Sequence, residues 1–198
     1  MGFTLSRKAF NAYFIELTAG QGFGSQVNTI GWIMNKTEFY ADLNRDFQAL
    51  MAGETSFLAI LSNTSALLFE RLEGVNWAGF YLLEGDTLVL GPFQGKIACV
   101  RIPVGRGVCG TAVAENRVQR VEDVHAFAGH IACDAASNAE IVLPLNVQNQ
   151  TIGVLDIDST VFSRFTGEDE QGLRELVGQL EKLLAASDYQ KFFALKAG

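Results

Sequence analysis

No run of 18 apolar residues occurs in the chain, and its first residues hold no compact apolar segment followed by a small-residue cleavage site. Neither a membrane span nor an exported precursor is therefore predicted, and the expected location is cytoplasmic. Basic charge is also scarce. Fifteen Lys and Arg stand against 22 Asp and Glu, a net charge of −7, and without a Lys/Arg cluster to follow a phosphate backbone, nucleic acid is excluded as the expected partner. Charged residues are only 19% of the chain and hydrophobic residues 48%, the opposite of a disordered composition. Cysteine is limited to Cys99, Cys109 and Cys133. This odd, widely spaced set suits neither a secreted disulfide framework nor a C-x-x-C metal knuckle. In a reducing compartment such thiols read either as redox groups or as small buried hydrophobes.

The 198 residues fit one domain with a core of ordinary size, and no internal repeat interrupts them. Residues 1–33 stand apart. Gly20, Gly22, Gly24 and Gly31 lie among polar residues there with no sustained period, so this segment is expected to be an N-terminal extension, with Met34 a candidate natural start. Beyond it, Thr37 is placed to cap a helix with Phe39, Leu43, Phe47 and Leu50 on one stripe. A second helix follows Ser56, with Leu58, Leu61, Ala66, Leu68, Phe69 and Leu72 on its buried surface.

After Gly74 the period becomes two. Trp77, Gly79 and Tyr81 fall on one strand face and Ala78, Phe80 and Leu82 on the other. Glu84-Gly85-Asp86 turns the chain into a strand over Thr87–Leu90, and Lys96–Ile102 reads as a third strand that includes Cys99. Gly105, Gly107 and Gly110 surround Cys109 and suggest a tight turn with close packing before a short helix over Thr111–Glu115. They lack the Lys-Ser/Thr pair of a phosphate loop. Residues 122–140 form a long aperiodic loop of the functional kind and contain Cys133. Strands over Ile141–Val147 and Thr151–Ile157 and an amphipathic helix from about Glu168 to Ala186 complete an α+β chain.

Three acids stand out. In Val154-Leu155-Asp156-Ile157-Asp158 the strand period sets Asp156 and Asp158 on one face, and a hairpin with the preceding strand brings Glu140 toward them. Neighbouring carboxylates raise one another's pKa, so one of them can stay protonated near neutral pH and act as a proton donor. A solvated face on a half-exposed sheet is the plainer explanation. Trp77 and Tyr81, with the small Gly79 between them, suggest two aromatic walls with room for a ligand, or else core packing.

Five motifs occur in order: Trp77-Ala78-Gly79-Phe80-Tyr81, Gly91-Pro92-Phe93-Gln94-Gly95, Gly107-Val108-Cys109-Gly110, Gly129-His130-Ile131-Ala132-Cys133-Asp134 and Leu155-Asp156-Ile157-Asp158. Through them the chain from about Met34 onward resembles the free methionine-(R)-sulfoxide reductases, a catalytic GAF-domain family. The resemblance implies a six-stranded antiparallel sheet with helices packed mainly on one side, a homodimer, no metal or organic cofactor, and recharging by thioredoxin. It also implies Cys133 as nucleophile, Cys99 as resolving thiol and a redox-active disulfide between them. Cys109 is an alternative resolving thiol or a structural one. Glu140, Asp156 and Asp158 would hold and protonate the sulfoxide of free methionine-(R)-sulfoxide, beside Trp77 and Tyr81. Backbone N–H groups, or Arg101 or Arg106, would meet the substrate carboxylate. Three rivals are a non-catalytic small-ligand-binding GAF sensor module, a zinc site from Cys99, Cys109, His130 and Cys133, and a Cys/His hydrolase using His125 or His130.

Overall fold

A computed structural model describes residues 35–129, 131 and 134–193. The expectations for residues 1–33, His130 and Cys133 lie outside the described residues. The first helix, α1 (Lys36–Leu50), is capped two residues earlier than expected, by Asn35 in place of Thr37, because Asn35 Oδ1 accepts from Thr37 N at 3.0 Å. Its buried face is Tyr40, Leu43, Asn44 and Phe47, while Leu50 is exposed. The second helix, α2 (Phe57–Arg71), begins after Ser56 as expected, capped by the Ser56 side chain accepting from Ala59 N, but buries Phe57, Ile60, Leu61, Thr64, Ser65 and Leu68. Leu58 and Phe69 face outward. This helix is apolar on several sides, so its pattern does not select a face. The polar members of the buried one are accommodated by donating back along the helix, Thr64 Oγ1 to Ile60 O at 2.7 Å and Ser65 Oγ to Leu61 O at 3.0 Å.

The sheet is assembled from β1 (Val75–Glu84), β2 (Thr87–Gly95), β3 (Arg101–Pro103), β4 (Gln119–Val121), β5 (Ala139–Val147) and β6 (Gln150–Ser159). All pairings are antiparallel, in the order β3-β2-β1-β6-β5-β4. The six strands and their helices form the α+β architecture that the motifs implied. The expected third strand over Lys96–Ile102 is a correction. β2 runs on to Gly95, paired with Trp77, and leaves Lys96 to Val100 outside any strand, so Cys99 lies in a connecting segment. Pro92 is tolerated within β2 because the pairing with β3 reaches only Val89, leaving that edge without a ladder bond to lose. Gly95 then turns the chain away at φ 127°, a region that favours glycine. The helix expected over Thr111–Glu115 begins earlier, as α3 (Gly107–Glu115), and carries Cys109 in its first turn. The tight packing expected there is present, since a Cβ on Gly110 would lie 2.4 Å from Pro103 O.

Period-two alternation divides the sheet into two apolar layers. Ala78 and Phe80 of β1, Ile141 and Leu143 of β5 and Leu155 and Ile157 of β6 face α1, α2 and α4 (Gly167–Ala186), which form the main core. The opposite face carries Trp77, Tyr81, Val142 and Val154 and meets α3 through Val108, Cys109 and Ala112. A short final helix, α5 (Gln190–Phe193), sets Phe193 against Phe57. Asp169 closes a capping box with Thr166 at the start of α4 and pairs with Lys36 and Arg164, locking α1 to α4. With one face sealed by three helices, the other face, covered only by α3 and loops, is where a cavity can open.

Candidate active site

Strand register brings the three acids together. Glu140 of β5 lies directly across from Asp158 of β6, and Val142 across from Asp156. Asp156 and Asp158 are two residues apart on one face, which places Glu140 diagonal to Asp156. α3 presses Cys109 onto this group from above. Its Sγ lies 3.7 Å from Glu140 Oε1, where the thiol donates to the carboxyl, and ligand atoms of Cys109, Glu140 and Asp156 all fall within 4.8 Å of one another. Glu140 and Asp156 are each only 6% exposed, and Asp156 Oδ1 is buried with no hydrogen-bond partner among the described residues. The solvated-face explanation does not hold.

Burial sets the charge state. Asp156 is pushed up from 3.8 to about 6 by desolvation, with hydrogen bonds from Cys109 and Glu140 restraining the rise. Burial lifts Glu140 well above the usual carboxyl range, and the charges of Asp156 and Asp158 add to it. Asp158 is raised by burial and then by the charges of Asp156 and Asp134. Burial and mutual charge thus push all three carboxyls upward as one interacting cluster, which favours keeping a proton within it. The Cys109 thiol is raised by burial and by all three acids, which makes it a neutral donor and a poor nucleophile.

The aromatic residues do something different from what their spacing suggests. A Cβ on Gly79 would stand 2.3 Å from Phe93 Cβ and 2.7 Å from Trp77 Cη2, so the space over Gly79 is filled. Trp77 lies over it, stacked on Tyr81 at 5.8 Å and on Phe93 at 5.2 Å between ring centroids. No ligand fits between the two walls. Their polar tips instead hold the Cys99 segment: Trp77 Nε1 donates to Lys96 O at 3.2 Å and Tyr81 OH donates to Cys99 O at 3.0 Å. Cys99 is in a disulfide and Cys109 is free.

Trp77, Tyr81, Cys109, Glu140, Asp156 and Asp158 all line one cavity of about 520 Å³, including its open mouth. Gly107 and Val108 complete the wall with the start of α3. Arg106 offers no side-chain cap there and the first turn closes only with Gly110 N on Arg106 O at 3.1 Å, so the helix presents N–H groups without intrahelical acceptors. Neither Arg101, which is paired with Glu84 at 3.9 Å, nor Arg106 lines the cavity. His125 does not line it either, and its Nε2 meets Asn138 Oδ1 at 2.9 Å, away from the acids. The disulfide at Cys99 removes one ligand from the zinc set, whose His130 and Cys133 lie outside the described residues.

Four contributors were not foreseen. Phe93 backs Trp77, and its signal was its place in the Gly-Pro-Phe-Gln-Gly motif. Asn76 Nδ2 donates to Ser137 Oγ at 3.0 Å and to Asp134 Oδ2 at 3.3 Å. These contacts tie the residue following Cys133 to β1. Lys96 Nζ lies 3.4 Å from the same Asp134 carboxylate and joins the two cysteine-bearing segments. Asn76 and Ser137 carry no sequence signal, because each is an ordinary polar residue beside a motif.

Residues 55–185 match the GAF domain family. The chain is 84% identical over 165 residues to "Free methionine-R-sulfoxide reductase" of Escherichia coli (strain K12), covering 83% of this chain and all of that protein. It is 40% identical over 157 residues to the Saccharomyces cerevisiae protein of that name, covering 75% of this chain and 87% of the other. The solved structure of free methionine-R-sulfoxide reductase from Neisseria meningitidis in complex with its substrate superimposes with a TM-score of 0.75 at 42% identity, covering 85% of this chain and 96% of that one. A buried carboxylate cluster, a disulfide-bonded cysteine on a segment that borders its cavity and these likenesses agree: the chain belongs to the GAF-domain family and, within it, to the free methionine-R-sulfoxide reductases.

Proposed function

We propose that the protein reduces free methionine-(R)-sulfoxide to methionine by thiol chemistry at this cavity. The observation that carries the reading is the buried cluster of Glu140, Asp156 and Asp158 at the wall of the cavity where Trp77 and Tyr81 hold the Cys99 segment. The Cys133 thiolate attacks the sulfoxide sulfur while Glu140 or Asp158 protonates the oxygen. The protonated oxygen then passes from the substrate sulfur to Cys133 Sγ as the substrate S–O bond and the newly formed S–S bond break, so that methionine leaves and Cys133 becomes a sulfenic acid. The Cys99 thiol then displaces that oxygen as water, and a Cys99–Cys133 disulfide forms. Thioredoxin returns two electrons and two protons by exchange. The balance is one sulfoxide and one dithiol consumed, with methionine, water and a disulfide formed.

Asp156 is the carboxylate suited to the substrate ammonium, and its partnerless Oδ1 is available for it. The substrate carboxylate is suited to the open N–H groups at the start of α3. Cys109, neutral and bonded to Glu140, serves as a structural thiol in the cavity wall. The reading includes a homodimer, as the resemblance implies, and a cytoplasmic location. Among the described residues no helix is long and apolar enough to cross a membrane. The test is to supply the R and S epimers of methionine sulfoxide, free and within a peptide, with dithiothreitol, and to measure methionine formed. Turnover of the free R epimer is expected, and preference for the S epimer or for the peptide refutes the reading.

A further inference from the structure

The segment that carries Cys99 is built inside out. Among the described large apolar side chains, the two most exposed are Ile97 at 90% and Val100 at 64%, and they flank Cys99 on either side. Ala98 and Cys99 are the members that turn inward, partly buried against the second apolar layer. The segment's backbone is pinned from beneath through Lys96 O, Cys99 O and Val100 O, the last accepting from Leu90 N at 3.0 Å. A segment fixed by its carbonyls leaves its apolar side chains free to face solvent. Single exposed hydrophobes need no explanation, but a pair bracketing a disulfide-bonded cysteine on a pinned segment calls for one.

Charge adds a second observation. The chain carries −7 overall, yet from Thr87 to Ala114 it contains Lys96, Arg101 and Arg106 and no acid. Lys96 and Arg101 each approach one carboxylate, Asp134 at 3.4 Å and Glu84 at 3.9 Å, and their side chains remain 71% and 62% exposed. An acidic protein thus presents a small apolar patch with a basic rim at the one described cysteine in a disulfide.

We propose that Ile97, Val100 and the flanking Lys96 and Arg101 form the docking surface for the dithiol protein that recharges the enzyme. This surface rests on the proposed thiol cycle and names where its macromolecular reductant lands. The partner's matching chemistry is an apolar rim with acidic residues around a reactive thiolate. That thiolate attacks Cys99 Sγ, the enzyme's disulfide breaks, and the other enzyme sulfur leaves as a thiolate and takes up a proton. The partner's second thiol then attacks the mixed disulfide, which frees reduced Cys99 and leaves the partner oxidised by two electrons. A small dithiol needs no such surface, and this difference makes the proposal testable.

Initial rates are measured with methionine-(R)-sulfoxide, supplying electrons either from dithiothreitol or from thioredoxin with its reductase and NADPH. The variants are Val100→Asp and Val100→Asp with Arg101→Glu; Ile97, at the cavity mouth, is left intact so that substrate binding is not altered. The single variant is expected to lose about tenfold in kcat/KM for thioredoxin and the double variant more, with dithiothreitol rates within about twofold of wild type. Leu58→Asp, on an exposed position of α2, is expected to change neither. Wild-type thioredoxin rates in both variants overturn the proposal, as does an equal loss with dithiothreitol, which would mean damage to Cys99 itself. A dimer weakened by Val100→Asp with unchanged thioredoxin rates assigns the patch to a second copy of this chain and also overturns it. If wild type makes methionine with dithiothreitol but not with thioredoxin, the surface falls and the reductase stands. If it makes none with either, the proposed function falls.

Discussion

Replacing Asp156 with Asn is expected to stabilise the protein while disabling it, and burial sets the sign of both effects. The carboxyl ionises near 3.8 in an unfolded chain and at about 6 in the folded one. The folded state resists that charge. The resulting destabilisation is absent below pH 3.8, grows as the pH rises toward 6, and is complete above it. Two pKa units correspond to ~3 kcal/mol. Removing the charge also lowers Glu140 and Asp158 toward their ordinary range, which acts in the same direction, while the weakened hydrogen bonds from Cys109 and Glu140 act against it. At pH 8 a gain of about 1–3 kcal/mol is therefore expected, or several degrees in Tm for a chain of this size. Thermal and urea unfolding of variant and wild type, compared at pH 8 and at pH 4, test this, since effects common to both proteins cancel. The difference should be largest at pH 8 and close to zero at pH 4. A variant less stable than wild type at pH 8, or a difference that does not shrink on acidification, would refute the reasoning. Single-turnover methionine formation by the variant should fall on the order of 10²-fold, because the remaining acids lose the charge that holds their protons and the substrate loses its anionic partner.

Cys133→Ser should form no methionine even in a single turnover, since a hydroxyl is a far weaker nucleophile toward sulfur; rapid-quench product from this variant would contradict the assignment. Cys99→Ser should form about one methionine per enzyme and then cycle poorly on thioredoxin, with dithiothreitol restoring part of the rate by attacking the sulfenic acid directly. Normal cycling on thioredoxin would transfer the resolving role to Cys109. Gly79→Ala places a methyl 2.3 Å from Phe93 Cβ and 2.8 Å from Phe93 Cα, a clash that rotation of the phenyl ring cannot relieve. It should cost about 1–3 kcal/mol in stability and, by displacing Trp77 from Lys96 O, weaken substrate reduction. An unchanged melting temperature would show that β2 yields more easily than its pairing implies.

Local pattern was enough for much of this molecule. Alternation around Trp77 to Leu82 fixed which residues of β1 face each layer, and alternation in Val154 to Asp158 placed two acids on one surface with Glu140 close by. Periodicity succeeds there because a strand has only two faces. It failed on α2, where apolar residues on several sides leave the choice of face to whichever surface the sheet offers, and Leu58 lost to Ile60. The third strand was misplaced for a related reason. Lys96 to Ile102 has strand-forming residues, but pairing is decided by partners, and Gly95 turned the chain off the sheet before Cys99. Aromatic spacing suggested a slot at Gly79, yet side chains four residues apart on one face can lean over a glycine and touch, and Phe93 arrives from the neighbouring strand to fill what remains. Residue types and their order thus determined the sheet, its two layers and the presence of acids and thiols. Only the tertiary structure decided that the acids are buried deeply enough to be pushed toward holding protons, that Cys109 sits among them as a thiol donor, and that Trp77 and Tyr81 pin the Cys99 segment. Desolvation and hydrogen-bond geometry depend on what packs above a residue, and that neighbour comes from elsewhere in the chain.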